Sequence, residues 1–92
     1  MAIVCDLERV IQDRRDHPRE GSYTCRLFQE GRQEIAKKVG EEAIEVVLAA
    51  VSQSDERLCE ESADLIYHLL VLLAERGLSW AAVESELAKR RR

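Results

Sequence analysis

Residues 37–50 read KKVGEEAIEVVLAA. Glu41, Glu42 and Glu45 stand at the entrance of a run that then turns wholly apolar. A helix advances about 100° per residue. Val46, Val47, Leu48, Ala49, Ala50 and Val51 therefore cover every direction around the axis, and this pattern predicts a helix buried on all sides. Glu45 is a helix-surface neighbour of Glu41, four residues back, and of Glu42, three back. A carboxylate in such surroundings is costly unless it is paired or coordinates a metal.

The same pattern recurs at 60–73, EESADLIYHLLVLL. Glu61 and Asp64 are three apart, and His68 lies four beyond Asp64, so all three share one narrow sector. Leu65, Ile66, Leu69, Leu70, Val71, Leu72 and Leu73 form an apolar shell around the rest of the helix. The polar break SQSD separates the two runs. A break so short predicts antiparallel packing, with the two acidic pairs facing one another.

Outward from this hairpin the signals stay helical. Ile3, Leu7, Val10 and Ile11 follow helical spacing, which predicts a first helix ending before Asp16-His17-Pro18. DHPREGSYT reads as a loop, and TCRLFQE as a short helix capped by Ser22 or Thr24 and stopped by Gly31. The long helices are expected near 32–51 and 56–76, the second capped by Ser54 or Asp55 and stopped by Gly77. Ser79 caps a last helix, WAAVESELAKR, with Trp80, Val83 and Leu87 along one side. Alternating runs and hairpin dipeptides are missing. The expected architecture is a single all-α domain over residues 1–92, a helical bundle completed by dimerisation.

Composition supports that expectation. Of the 92 residues, 46% are apolar. A domain this small has limited room to bury them, and the surplus suits a subunit contact. The net charge of −4 gives no basic field for nucleic acid. The one basic run, Lys89 to Arg92, reads first as a helix end favoured by the dipole. Cys5, Cys25 and Cys59 are odd in number and lack metal or redox spacing. MAIVCDLERV does not resemble a secretory signal, and LIYHLLVLLA is too short to span a bilayer. A reducing cytoplasm and no membrane are expected.

Four facing carboxylates would raise one another's pKa and destabilise the bundle. A divalent cation resolves this, since hard oxygen donors suit Mg²⁺ or Mn²⁺, and Mg²⁺ characteristically shares its site with substrate phosphates. Such a site should open to solvent at one end. Glu41 and Glu42 could instead pair with Lys37 and Lys38 at four-residue spacing, and Glu60 and Glu61 could complement a helix dipole. Two acidic pairs on two apolar helices favour the metal.

The remaining polar residues keep two readings each. His68 is either a hydrogen-bonded core histidine or a residue that orients a ligand or contacts substrate. Tyr67 reads as core packing. Gly40 would be explained by a close approach of backbone or ligand. Lys37 and Lys38, one turn before the acids, either hold phosphate oxygens or line a solvated face; Arg14, Arg15 and Arg26 have weaker claims. Ser22, Tyr23 and Thr24 precede a short helix, where they either cap it or bind phosphate.

Glu41-Glu42-x-x-Glu45 followed by Glu61-x-x-Asp64 resembles the metal-binding pattern of the all-α nucleoside triphosphate pyrophosphohydrolases. GSYTCRLF, KKVGEEAIEVVLAA and ESADLIYHLLVLLAERGL together resemble the phosphoribosyl-ATP pyrophosphatases of histidine biosynthesis, from about Gly21 to the last helix. The resemblance implies Mg²⁺-dependent hydrolysis of 1-(5-phosphoribosyl)-ATP to 1-(5-phosphoribosyl)-AMP and pyrophosphate by a cytoplasmic homodimer whose core is completed across subunits. It implies metal ligation by Glu42, Glu45, Glu61 and Asp64, with Glu41 as a further ligand or positioning the attacking water. Lys37 and Lys38 would contact phosphates, and Ser22-Tyr23-Thr24 would contribute to the substrate pocket. The family also has forms fused to a cyclohydrolase, and this chain resembles the stand-alone form.

Three other readings compete. A general house-cleaning pyrophosphatase shares every metal ligand, although the SYT and YH segments argue against it. A di-iron bundle needs Glu-x-x-His on two helices, whereas Asp64 and His68 are four apart. A non-enzymatic dimerisation bundle would use its acids as salt bridges.

Overall fold

The computed structural model describes residues 2–91. Five helices follow in order, α1 (Ala2–Asp16), α2 (Tyr23–Glu30), α3 (Arg32–Ser52), α4 (Asp55–Glu75) and α5 (Trp80–Lys89). No strand occurs among the described residues. The all-α expectation holds, with boundaries within one residue of those read from the sequence. Among the described residues no single helix is long and apolar enough to cross a membrane. Arg92, at the end of the basic run, lies outside the described residues.

Serine starts three of the helices. The hydroxyls of Ser22, Ser54 and Ser79 each accept the N–H of the residue three further on, Cys25, Arg57 and Ala82, at 3.2 Å. Each thereby satisfies one of the amide donors that a helix start leaves orphaned. Thr24 and Asp55, the other candidate caps, lie inside their helices. At the end of α4, Gly77 takes φ +72, Leu78 N–H reaches Leu73 C=O at 2.8 Å, and Gly77 N–H reaches Ala74 C=O at 3.0 Å. This paired closure needs a left-handed residue, which glycine adopts without steric cost.

The α3–α4 hairpin is antiparallel. Gln53 and Ser54 join the helices at one end; at the other, Arg32 at the start of α3 donates to both carboxylate oxygens of Glu75 on α4 at 2.8 Å. Ile11, Leu27, Ile35, Leu70 and Val71, from α1 to α4, are the largest fully buried side chains. Trp80 packs against them from α5, its N–H held by Glu8 Oε2 at 2.6 Å. Arg15 donates to Ala74 C=O at 2.7 Å and joins the ends of α1 and α4. Both arginines near the end of α1 are thus engaged within the fold, since Arg14 also pairs with Asp13 at 2.9 Å.

Burial of α3 on all sides does not occur within one chain. Only Ile35 and Ala49 on this helix are buried, while Ile44, Val47, Leu48 and Val51 are 61, 60, 46 and 77% exposed. Packing against α4 and α2 covers one side of α3 and leaves the other bare among the described residues. On α5, Leu87 is likewise exposed and only Trp80 and Val83 are half-buried. Gly40 is exposed, and a Cβ there would meet nothing within 4 Å, so no close approach explains it.

Candidate metal and substrate site

Antiparallel packing of α3 and α4 brings two acidic segments face to face. One oxygen each of Glu42, Glu61 and Asp64 lie within 4.8 Å of one another. Glu61 is buried, Glu42 half-buried and Asp64 exposed, so the cluster is closed at its base and open at its mouth. Burial pushes the Glu42 carboxyl above its ordinary range; His68 opposes the shift, while Asp64, Glu61 and Glu45 reinforce it. This is the strain expected of like charges gathered away from water. The donors are hard oxygens, and around Mg²⁺, with bonds of about 2.0–2.1 Å, neighbouring ligand oxygens stand roughly 3–4 Å apart. The three carboxylates fit such an ion.

The other acids are arranged differently. Glu45 is half-buried and falls outside that group of three, although its charge still acts on Glu42. Glu41 is exposed, with Lys38 Nζ at 3.8 Å from its Oε1. The lysine pairs expected at four-residue spacing do not form among the described residues, and Lys37 is exposed. Glu61 is also gripped by Arg57, one turn before it, whose guanidinium binds Glu60 as well.

Next to the carboxylates, His68 is buried between α2 and α4. Its Nδ1 lies 2.8 Å from Asp64 C=O, and a carbonyl only accepts, so Nδ1 carries a proton. In the neutral ring Nε2 is then an acceptor, and Tyr23 Oη donates to it across 3.0 Å. Thr24 and Tyr67 join hydroxyl to hydroxyl. The Tyr23 and Tyr67 rings stack with centroids 6.2 Å apart, and His68 meets Tyr67 edge-on at 5.0 Å. Burial pushes the Tyr67 hydroxyl above its ordinary pKa, against the pull of Thr24. The SYT segment is thereby docked on the carboxylate helix by side-chain hydrogen bonds, and Ser22 caps α2.

Some of these roles are absent from the sequence reading. Tyr67 is a hydrogen-bonding partner as well as a packing residue. Arg57 stands at i,i+4 from Glu61, a spacing that signals the pair directly. Arg19 lies in a segment read only as loop, yet it shares a recess with Arg26; a cation two residues before a glycine and a helix cap is the signal available there.

Residues 4–91 match the family model described as phosphoribosyl-ATP pyrophosphohydrolase. A phosphoribosyl-ATP pyrophosphatase of Pelotomaculum thermopropionicum is 53% identical over 89 residues, covering 97% of this chain and 91% of that protein. One from Lactiplantibacillus plantarum is 51% identical over 85 residues, covering 92% of this chain and 80% of the relative. The histidine biosynthesis bifunctional protein HisIE of Pyrococcus furiosus is 50% identical over 92 residues, the whole of this chain but 43% of that longer protein. With a family model spanning nearly its full length and relatives this similar, the chain belongs to the phosphoribosyl-ATP pyrophosphohydrolase family.

Proposed function

We propose that this chain hydrolyses 1-(5-phosphoribosyl)-ATP to 1-(5-phosphoribosyl)-AMP and pyrophosphate in histidine biosynthesis, with a divalent cation, Mg²⁺ or Mn²⁺, held by Glu42, Glu61 and Asp64. The observation that carries this reading is the convergence of those carboxylates within 4.8 Å in a chain of this family. Glu45, already coupled to Glu42 by charge, turns inward as a fourth ligand. Bound there, the cation supplies the positive charge that offsets the substrate's triphosphate.

The chain's own groups do the rest. Water adds to phosphorus at the α–β anhydride, the bridging P–O bond breaks, and pyrophosphate leaves. Exposed Glu41, beside the mouth, positions that water. Lys37 and Lys38 neutralise the departing pyrophosphate. Tyr23, Thr24 and His68 fix the α2 wall of the substrate pocket, and Ser22 sets where that helix begins.

The same reading includes a homodimer. Ile44, Val47, Leu48 and Val51 leave an exposed apolar stripe on the helix that carries the catalytic glutamates, and a second copy covers it. A cytoplasmic location is in keeping with three free cysteines, which a reducing compartment preserves as thiols.

The test is pyrophosphate release with and without Mg²⁺ from phosphoribosyl-ATP, ATP and dUTP side by side. Metal-dependent turnover of phosphoribosyl-ATP alone is expected. Equal turnover of all three would assign the chain to the house-cleaning nucleotide pyrophosphatases instead. No release from any of them would leave a non-enzymatic bundle.

A further inference from the structure

Between Pro18 and α2 the surface sinks into a recess of about 340 Å³, at the lower end of the roughly 300–1,000 Å³ of small-molecule sites. Arg19, Arg26, Ser22 and Gln29 line it, with Glu20 as its single acid and Cys25 buried in its wall. Elsewhere in the fold Arg9, Arg14, Arg15, Arg32 and Arg57 each have a carboxylate partner. Among the described residues Arg19 and Arg26 have none, nor do Arg76, Arg90 and Arg91, but of these only Arg19 and Arg26 share a recess beside α2. Two unpaired guanidinium groups on one concavity are a receptor for an anion. Their planar forks match phosphate oxygens, to which each can give two parallel hydrogen bonds.

Side-chain contacts link the recess to the carboxylate helix. Arg26 lies over the Tyr23 ring, 5.6 Å from its centroid. Tyr23 is bonded to His68, whose centroid is 5.9 Å from its own, and His68 is bonded to the backbone of Asp64. This series of side-chain contacts runs from the arginines of the recess to the turn of α4 that carries Asp64. A second recess at the end of α5 also holds two arginines, Arg90 and Arg91, with Leu87 and Glu84. No hydrogen bond, ion pair or ring contact among the described residues links it to the acids, so it offers no comparable connection.

We infer that the Arg19–Arg26 recess is an anion subsite that receives a phosphate monoester on a ribose, the group a phosphoribosyl-ATP carries in addition to its triphosphate. The assignment rests on the function proposed above, and it supplies what the carboxylates cannot. Cation-binding acids recognise any triphosphate, whereas only the phosphoribosylated substrate reaches this second anchor. Arg19 and Arg26 are therefore specificity-determining residues. Ser22 and Gln29 add neutral donors beside them, since the Ser22 hydroxyl that accepts Cys25 N–H still has its own proton to give.

The experiment uses the full chain and two readouts. Ribose 5-phosphate is titrated while amide shifts are followed by NMR, and steady-state kinetics on phosphoribosyl-ATP are compared for the native chain, Arg19→Gln, Arg26→Gln and the double variant. Both arginines are exposed, and thermal unfolding checks that each variant is folded. Expected are shifts confined to residues 19–22, 26 and 29 that vanish in the double variant. KM should rise roughly tenfold or more per lost charged contact, with kcat falling far less. An unchanged KM, or ribose 5-phosphate shifts centred elsewhere, overturns the subsite while leaving the hydrolase standing. Shifts in the recess from a chain that leaves phosphoribosyl-ATP intact would instead overturn the proposed function and retain the anion site.

Discussion

Glu42 is the residue on which site and stability meet. Its carboxyl is held above the ordinary range, first by burial and then by Asp64, Glu61 and Glu45. A raised acid binds its proton more tightly in the folded than in the unfolded state. Its favourable contribution to the metal-free fold is therefore present at acid pH and lost as pH rises through the folded pKa. Mg²⁺ binds the deprotonated form, so its stabilisation grows through the same window. Thermal melts across that window, with and without Mg²⁺, should diverge as pH increases. Glu42→Gln should remove the divergence, raise the metal-free melting temperature above neutral pH by a few degrees, and cost on the order of 10²–10³-fold in Mg²⁺-dependent kcat. A variant that is destabilised without metal and still responds to Mg²⁺ would show the acid to be structural. Spacing alone made Glu42, Glu61 and Asp64 legible, because three-residue steps on facing helices dictate which carboxylates meet. Arg57 is equally legible, from its four-residue spacing to Glu61; Glu45 is less so, because the side-chain torsions of a long acid follow whichever partner is present.

At the scale of the element, the hairpin that carries the acids is set by its ends. Ser54 caps α4 and Gly77 closes it in a left-handed conformation. Ser54→Ala should cost about 1 kcal/mol through the orphaned Arg57 N–H. Gly77→Ala should cost about 1–2 kcal/mol, the penalty of a Cβ at φ +72. Each kcal/mol corresponds to a loss of roughly 4–8 °C in a domain of this size, measurable by circular dichroism. The active-site chemistry should separate them from Glu42→Gln, because below the melting temperature both variants retain Mg²⁺-dependent turnover. Helix limits were readable to within a residue because capping chemistry is local: a serine hydroxyl needs only the amide three residues ahead. The choice of Ser54 over Asp55, or of Ser22 over Thr24, rests on which residue leaves helical φ/ψ first, and neighbouring packing decides that.

The whole molecule differs most from its one-dimensional reading on α3. An apolar pattern on every side predicts burial on every side, but a single copy buries only the face toward α4 and the core. Ile44, Val47, Leu48 and Val51 stay bare, since which face a neighbour reaches depends on how the connections turn, which periodicity along one helix does not encode. Exposed apolar rows on an otherwise charged protein are characteristic of an interface, and here the row lies on the helix that carries Glu41, Glu42 and Glu45. A second copy would therefore brace the glutamate helix from behind. Val47→Lys and Val51→Glu, at positions 60 and 77% exposed in one chain, should perturb an isolated fold by no more than about 0.5 kcal/mol. In the proposed dimer each would bury a charge at the contact. The native chain should sediment at twice its monomer mass, with a melting temperature that rises with protein concentration; the Val47→Lys chain should sediment as a monomer and melt independently of concentration. If the native chain is itself a monomer with a concentration-independent transition, the stripe is not a subunit contact and α3 keeps its shape through the α4 face alone.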